Sequence, residues 1–337
     1  MENIYNLTLQ ELEELIVNNG YKKYNASQIY DWLYKKRCSS FDDMTNIKKE
    51  LIAFLKENYE ISLLKILKKE EDKDVKKYLF ELKDGNKIEA VVMFHDYGNS
   101  ICISTQIGCN MGCAFCESGR LKKVRNLERH EMVNQILTVE NDLNIRLTHL
   151  VLMGIGEPFD NFDNVMKFIE IINNDKGISL GSRHITISTC GIVPKIIDFM
   201  NINKQVNLAI SLHAPNNELR NKIMPINKAY NLEALMDAIR KYIDATNRRV
   251  TFEYILLKDI NDSKECAIEL SKLLRGLNCY VNLIPYNETE NGFKRSDKVM
   301  EFYDTLKRHK IGVTVRKEFG SKVSAACGQL RSNYKEW

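Results

Sequence analysis

Cys109-Asn-Met-Gly-Cys113-Ala-Phe-Cys116 sets three thiols in one short stretch, with three and then two residues between them. The intervening Gly112 lets the backbone fold back, so all three sulfurs can be aimed at one point. Thiolates favour soft iron and zinc centres, and a structural site normally takes four of them. No fourth cysteine follows at ligand spacing. A centre held here would keep one coordination position open, and an open position is where a ligand binds. The alternatives are a tight turn with free thiols, or a zinc site completed by a distant residue.

The fold follows from what surrounds that stretch. From residue 100 onward short β-rich runs alternate with helical ones: Ile101 to Gln106, Thr148 to Met153, His184 to Ser188, Val206 to Leu212, Val250 to Leu256 and Val281 to Ile284. Helical stretches separate them, which predicts parallel strands joined by right-handed crossovers. A last run, Gly312 to Arg316, is placed to pack beside them. Six units are fewer than a closed barrel needs, so the chain reads as a partial (β/α)6 TIM-like barrel. One strand face is repeatedly polar: Asn207, Ser211 and His213 alternate with Leu208, Ile210 and Leu212, and Thr186 and Ser188 alternate with Ile185 and Ile187. Cys102, Ser104 and Gln106 likewise alternate with Ile101 and Ile103. With the apolar faces on the helices, a polar lumen should hold a polar ligand.

The N-terminal part reads differently. Thr8-Leu-Gln-Glu11 is a capping box that starts a helix over residues 8–19, and further helical runs begin near Asn25 and at residue 46. Val75 to Leu82 and Ile88 to Phe94 flank the turn Lys83-Asp-Gly85-Asn86 and predict a hairpin. The expected α/β organisation is a small helical domain at 1–60, a linking β-hairpin at 61–98, the partial barrel at 99–320 and a loop and tail at 321–337.

With 337 residues, 44% hydrophobic and 28% charged, the composition is that of a soluble globular protein. No run approaches the roughly 18 apolar residues of a membrane span, and the N-terminus lacks an export signal, so the expected location is the cytoplasm. Nine cysteines without a regular framework argue against a secreted disulfide scaffold. The net charge of +4 is modest; residues 1–100 carry 16 Lys and Arg against 18 Asp and Glu, and the remainder carries 33 against 27. The cationic surplus lies with the thiol stretch, a weak pointer to nucleic acid.

Met153-Gly-Ile-Gly156-Glu157-Pro158 follows the second strand, on the rim where such folds bind ligands. There the glycines admit close approach, and Glu157 can accept from an ammonium group. Taken with this turn, C-x3-C-x2-C resembles the radical S-adenosylmethionine (SAM) superfamily. The combination of Cys102, the triad, Gly-Ile-Gly-Glu-Pro, Ser211-Leu-His213 and Ala325-Ala-Cys327-Gly-Gln-Leu330 resembles, in matching order, the RlmN and Cfr family of RNA adenosine methyltransferases.

That resemblance implies a 4Fe-4S cluster on Cys109, Cys113 and Cys116, and SAM contacts from Gly156, Glu157, Ser188, Ser211, Leu212, His213 and Asn287. It implies that Cys327 is S-methylated by one SAM, that a second SAM yields a 5′-deoxyadenosyl radical to activate that methyl group, that Glu89 is the general base and that Cys102 resolves the adduct as a transient disulfide with Cys327. The implied partners are 23S rRNA before ribosome assembly is complete, tRNA, and an electron donor such as flavodoxin, with the enzyme a monomer and no membrane involved. The housekeeping branch methylates adenine carbon 2 and the resistance branch carbon 8. Gly156-Glu157-Pro158, the run Leu208 to Pro215 and Thr251-Phe-Glu-Tyr254 look more like the former, whereas Glu117-Ser-Gly119, Ser324 and the segment after Asn287 depart from the family pattern. The competing classes are an iron–sulfur RNA-binding protein without catalysis and a radical SAM enzyme acting on a small molecule.

Overall fold

The computed structural model describes residues 1–202, 205–317 and Leu330. Cys327 therefore lies outside the described residues, as does the expected 321–337 tail apart from Leu330.

Strand β1 (Glu2–Asn3) leads into helices α1 (Leu9–Asn18), α2 (Tyr24–Tyr34) and α3 (Lys49–Asn58), and β2 (Tyr59–Glu60) returns to pair parallel with β1. The capping box forms as read: Glu11 N donates to Thr8 Oγ1 at 3.2 Å and Thr8 N to Glu11 Oε2 at 2.8 Å. Next come β3 (Lys65–Asp72), β4 (Val75–Glu81), β5 (Lys87–His95) and β6 (Gly98–Cys102), all antiparallel neighbours. The short β7 (Gln106–Ile107) and β8 (Arg125–Asn126) pair with each other across the thiol stretch. The rest alternates: α4 (Arg129–Leu143), β9 (His149–Leu152), α5 (Phe162–Asn173), β10 (Ile185–Thr189), α6 (Val193–Asn201), β11 (Asn207–Ser211), α7 (Asn217–Ile223), α8 (Leu232–Thr246), β12 (Val250–Leu256), α9 (Lys264–Leu273), β13 (Cys279–Pro285), α10 (Val299–Arg308) and β14 (Val313–Val315).

One ten-stranded sheet runs β14-β13-β12-β11-β10-β9-β6-β5-β4-β3. It is parallel from β14 to β6 and antiparallel from there to β3. The expected six parallel strands are present, with the run after Gly312 added as a seventh. The arc is open, and its strand faces divide as the alternation requires: Ile185, Ile187, Leu208 and Ile210 enter the apolar core, and Thr186, Asn207 and Thr251 line a lumen.

Two features depart from the sequence reading. The strand expected over 101–106 runs from Gly98 to Cys102, because the chain leaves the sheet at Ile103 and Gln106 starts the β7–β8 ribbon. The hairpin is no mere link; it extends the barrel sheet, with β3 added at its edge. β3 reads Lys-Ile-Leu-Lys-Lys-Glu-Glu-Asp, charged as edge strands are when they must resist further pairing, and so shows no apolar face.

The core of the helical module is continuous with that of the barrel. Leu12, Ile29, Tyr30 and Leu51 belong to the same buried cluster as Met132, Ile136 and Phe168 of the barrel helices. Across that junction Arg129 pairs with Glu11 at 2.9 Å and Asn134 Nδ2 donates to the Ser62 carbonyl at 2.7 Å. Among the described residues no helix is long and apolar enough to cross a membrane.

Candidate active site

The thiol loop crosses one end of the lumen. Gly112 adopts φ +64°, a left-handed conformation that L side chains rarely take, and this lets Cys109 and Cys113 face the same way. Three backbone bonds pin the loop: Cys109 N to the Leu121 carbonyl at 3.0 Å, Cys116 N to Cys113 at 3.1 Å, and Ala114 N to Ile223 at 2.9 Å. All three sulfur-bearing residues open on one cavity of about 140 Å³, which they share with Gly156, Glu157, Ser188, Ser211 and His213. Burial, then its neighbours Cys116 and Cys109, push the Cys113 thiol well above its ordinary range. Burial likewise raises Cys109 to about 12. Thiols so placed keep their protons until a metal cation replaces them, which is how a ligand set behaves. Among the described residues no three His, Cys, Asp or Glu side chains converge on a single-ion site. Three thiols opening on one cavity are a soft donor set, and in that chemistry the residues present fit an iron–sulfur cluster.

The rim beside the loop is fixed by buried polar bonds. Gly156 sits at φ +107°, where an added Cβ would stand 2.6 Å from that of Gln106. Gln106 Oε1 in turn accepts from Glu157 N at 2.9 Å. Burial raises the pKa of Glu157, and backbone donors offset part of that rise: Cys190 N reaches Oε2 at 2.8 Å and Phe159 N reaches Oε1 at 3.0 Å. The Thr189 and Cys190 side chains add further hydrogen bonds to the same carboxylate. Ser188 and Ser211 lie hydroxyl to hydroxyl at 3.4 Å.

His213 has φ +57° and accepts from Ile255 N at its Nδ1 at 3.1 Å. Its ring meets Phe115 edge-on at 4.9 Å, and burial lowers its pKa to about 3, so it is a neutral brace for the thiol loop. Leu212 turns its side chain into the apolar core, with its backbone N–H and carbonyl already bonded to Glu253 and Arg220. Asn287 is half-buried just beyond β13 and is absent from the cavity wall.

Sequence reading missed Arg220. It is fully buried and spans the rim, donating to the carbonyls of Cys190 at 2.7 Å, Ser211 at 3.2 Å and Leu212 at 3.1 Å, and to Asn227 Oδ1 at 2.9 Å. Nothing in its surroundings in the chain marks it. Cys190 lines the same cavity with its thiol raised by burial.

Across the lumen, Cys102 on β6 is paired with Val91 on β5. Two residues along the same face of β5 stands Glu89, which is fully buried and ion-paired to Lys77 at 2.8 Å. Lys77 was also unread; its only signal is a lysine at a lumen-facing position of β4. Ser104 Oγ donates to the Glu89 carbonyl at 2.7 Å and accepts from Ile155 N at 3.1 Å, tying this strand to the glycine turn. Leu330 is buried in a small cluster with Cys102, Val91, Met93 and Ile155. It is three positions beyond Cys327 in the chain.

The other end of the lumen widens to a cavity of about 1010 Å³. Its mouth carries a ladder of rings: His95 stacks on Tyr97 with centroids 4.6 Å apart, Tyr97 meets His149 at 5.3 Å, and His149 meets His184 at 4.5 Å. Arg183, Arg248 and Arg249 stand around it. Among the described residues their contacts are neutral: Gln205 at 2.8 Å, Asn207 at 2.8 Å and the Tyr280 ring at 5.1 Å. Cations held this way keep their charge for an anionic ligand.

Comparison with known proteins matches these features. The profile of the radical SAM superfamily covers residues 103–270, and that of the ribosomal RNA large subunit methyltransferase N-terminal domain covers residues 2–61. A probable dual-specificity RNA methyltransferase RlmN from Spiroplasma citri is 58% identical over 337 residues, 98% of each chain. One from Acholeplasma laidlawii is 54% identical over 333 residues, again 98% of each chain. The crystal structure of a radical SAM methyltransferase from Sphaerobacter thermophilus superposes with a TM-score of 0.93 at 40% identity, covering 99% of this chain and 100% of that one. With its open barrel, its thiol loop and its N-terminal module all matched over nearly full length, the chain belongs to the RlmN family of radical SAM RNA methyltransferases, enzymes that use SAM and a 4Fe-4S cluster.

Proposed function

We propose that this enzyme methylates carbon 2 of a specific adenosine in the peptidyl-transferase loop of 23S rRNA, and of an adenosine in tRNA anticodon loops. Its similarity to proteins named as dual-specificity RlmN methyltransferases supports that reading over the carbon-8 alternative. Within the chain, the observation that carries it is Leu330 buried in the same small cluster as Cys102. Cys327 stands three positions before Leu330 in the sequence.

Cys109, Cys113 and Cys116 would hold the cluster, and Gly156, Glu157, Ser188, Ser211 and His213 would form the wall for SAM, with Asn287 nearby. When bound, cluster and SAM together supply the one-electron chemistry that removes a hydrogen atom from a methyl group. Cys327 receives that methyl group beforehand by displacement at a first SAM. Glu89, its charge balanced by Lys77, takes the proton that carbon 2 gives up. Once that one-carbon unit is joined to carbon 2 while still bonded to Cys327, Cys102 attacks the sulfur of Cys327; the sulfur–sulfur bond forms as the carbon–sulfur bond breaks, the freed carbon takes a proton to become the methyl group, and a disulfide is left for reduction. Residues 1–60 serve as an RNA-binding accessory, and the mouth arginines meet phosphates. The enzyme works as a cytoplasmic monomer fed by a flavodoxin-type donor.

The test is anaerobic reconstitution with iron and sulfide, then incubation with SAM, reductant and rRNA. The expected products are 5′-deoxyadenosine and 2-methyladenosine, with the latter lost in Cys327→Ala. An iron-loaded sample that makes neither product overturns the reading, and 8-methyladenosine moves the chain to the other branch.

A further inference from the structure

Glu253 has no part in the chemistry above. It stands midway along β12, in register with Ser211 on β11 and Asn282 on β13, and is only 4% exposed. Its Oε2 accepts from Asn282 Nδ2 at 2.9 Å, and among the described residues its Oε1 receives no hydrogen bond. The other buried members of the strand, Val250, Phe252, Tyr254, Ile255 and Leu256, are apolar or aromatic. A carboxylate in such company is costly unless something pairs with it, and packing alone would be served better by a hydrocarbon side chain.

Its position along the lumen says what that partner is. Met153, Glu253 and Arg316 border both the wide mouth cavity and the small thiol-lined one, so this level is the joint between them. Any group that travels from the mouth toward the thiol end passes the carboxylate. The partner must present an N–H or O–H donor. Arg316 already contributes positive charge at Glu253, so a neutral amine fits better than a second cation. Two adenines meet in this enzyme, that of SAM and that of the RNA, and both carry such an amine. Glu253 lies two residues further from the C-terminal rim of the sheet than Ile255, which borders only the thiol-lined cavity. That places it on the RNA side of the joint.

We propose that Glu253, oriented by Asn282, accepts the exocyclic amine of the target RNA adenine and so selects adenine for methylation. This rests on the function proposed above. It gives the barrel a specificity element distinct from the thiols and from Glu89.

The experiment compares reconstituted wild-type, Glu253→Gln and Glu253→Ala enzymes on two RNAs, one with adenosine at the target position and one with purine riboside, which lacks only the amine. For the wild type, kcat/KM should fall by about 10- to 100-fold on purine riboside, the range for one hydrogen bond to a charged group. In Glu253→Ala the adenosine rate should drop by a similar factor and the preference between the two RNAs should collapse to within about threefold. Glu253→Gln keeps the shape and an acceptor oxygen, so its fold and iron content should match the wild type while the preference shrinks. Equal losses on both RNAs in the variants would overturn the assignment. So would an unchanged preference accompanied by weaker SAM binding, which would give the carboxylate to the adenine of SAM. Failure of the function reading itself shows separately, as no methylation of either RNA by the wild type.

Discussion

The two ends of the lumen are built on opposite plans. At the thiol end a cavity of about 140 Å³ is walled by groups whose hydrogen bonds are almost all internal: Arg220 on three carbonyls, Glu157 on two backbone N–H groups, His213 on Ile255. At the mouth a cavity of about 1010 Å³ carries rings and arginines whose partners are neutral or lie at the surface. The first end is shaped before anything binds. The second offers charge and ring faces, and is the end proposed above to meet RNA. Substitutions at the thiol end should therefore cost cofactor loading and folding, and those at the mouth should cost RNA affinity alone.

The largest effect should come from the thiol end. Cys113→Ala removes one of the three proposed cluster ligands, so iron content after reconstitution should collapse and methylation should fall by roughly 10³-fold or more; a variant that keeps its iron and activity would break the comparison. Next is Arg220→Ala, which leaves three buried carbonyls without their donor. It should lower unfolding free energy by about 3–5 kcal/mol, read by urea titration.

A pH series sharpens the point at His213. Burial holds its pKa down near 3 in the fold, whereas the unfolded chain takes up the proton near pH 6.5. The stability carried by the neutral ring is thus complete above about pH 6.5 and drains away as pH falls toward 3, reaching a loss of about 2 kcal/mol at pH 5. His213→Asn should flatten that part of the profile relative to the wild type. The smallest effects belong to the mouth. Arg248→Ala with Arg249→Ala should weaken RNA binding by about tenfold and reduce its salt dependence, and Tyr97→Ala should weaken it by about fivefold, with melting temperatures within a degree or two of the wild type.

Much of this plan could be read in the chain because it is local. The triad, the glycine turn and the Ser-Leu-His run each sit within a few residues, and strand alternation assigned Thr186, Ser188, Asn207 and Ser211 to the lumen, where they line its two cavities. What escaped reading was assembled across the fold. Lys77 meets Glu89 only because β4 and β5 pair. The ring ladder joins residues from β5, the β5–β6 turn, the start of β9 and the turn before β10. β3 escaped for a different reason, since an edge strand with charges on both faces carries no periodic signal.

The helices of residues 1–60 share one apolar interior with α4 and α5. Cutting them away would strip the cover from Met132, Ile136 and Phe168 and leave a greasy scar along the barrel. A shortened chain should therefore clump, so the barrel depends on these helices to stay dispersed.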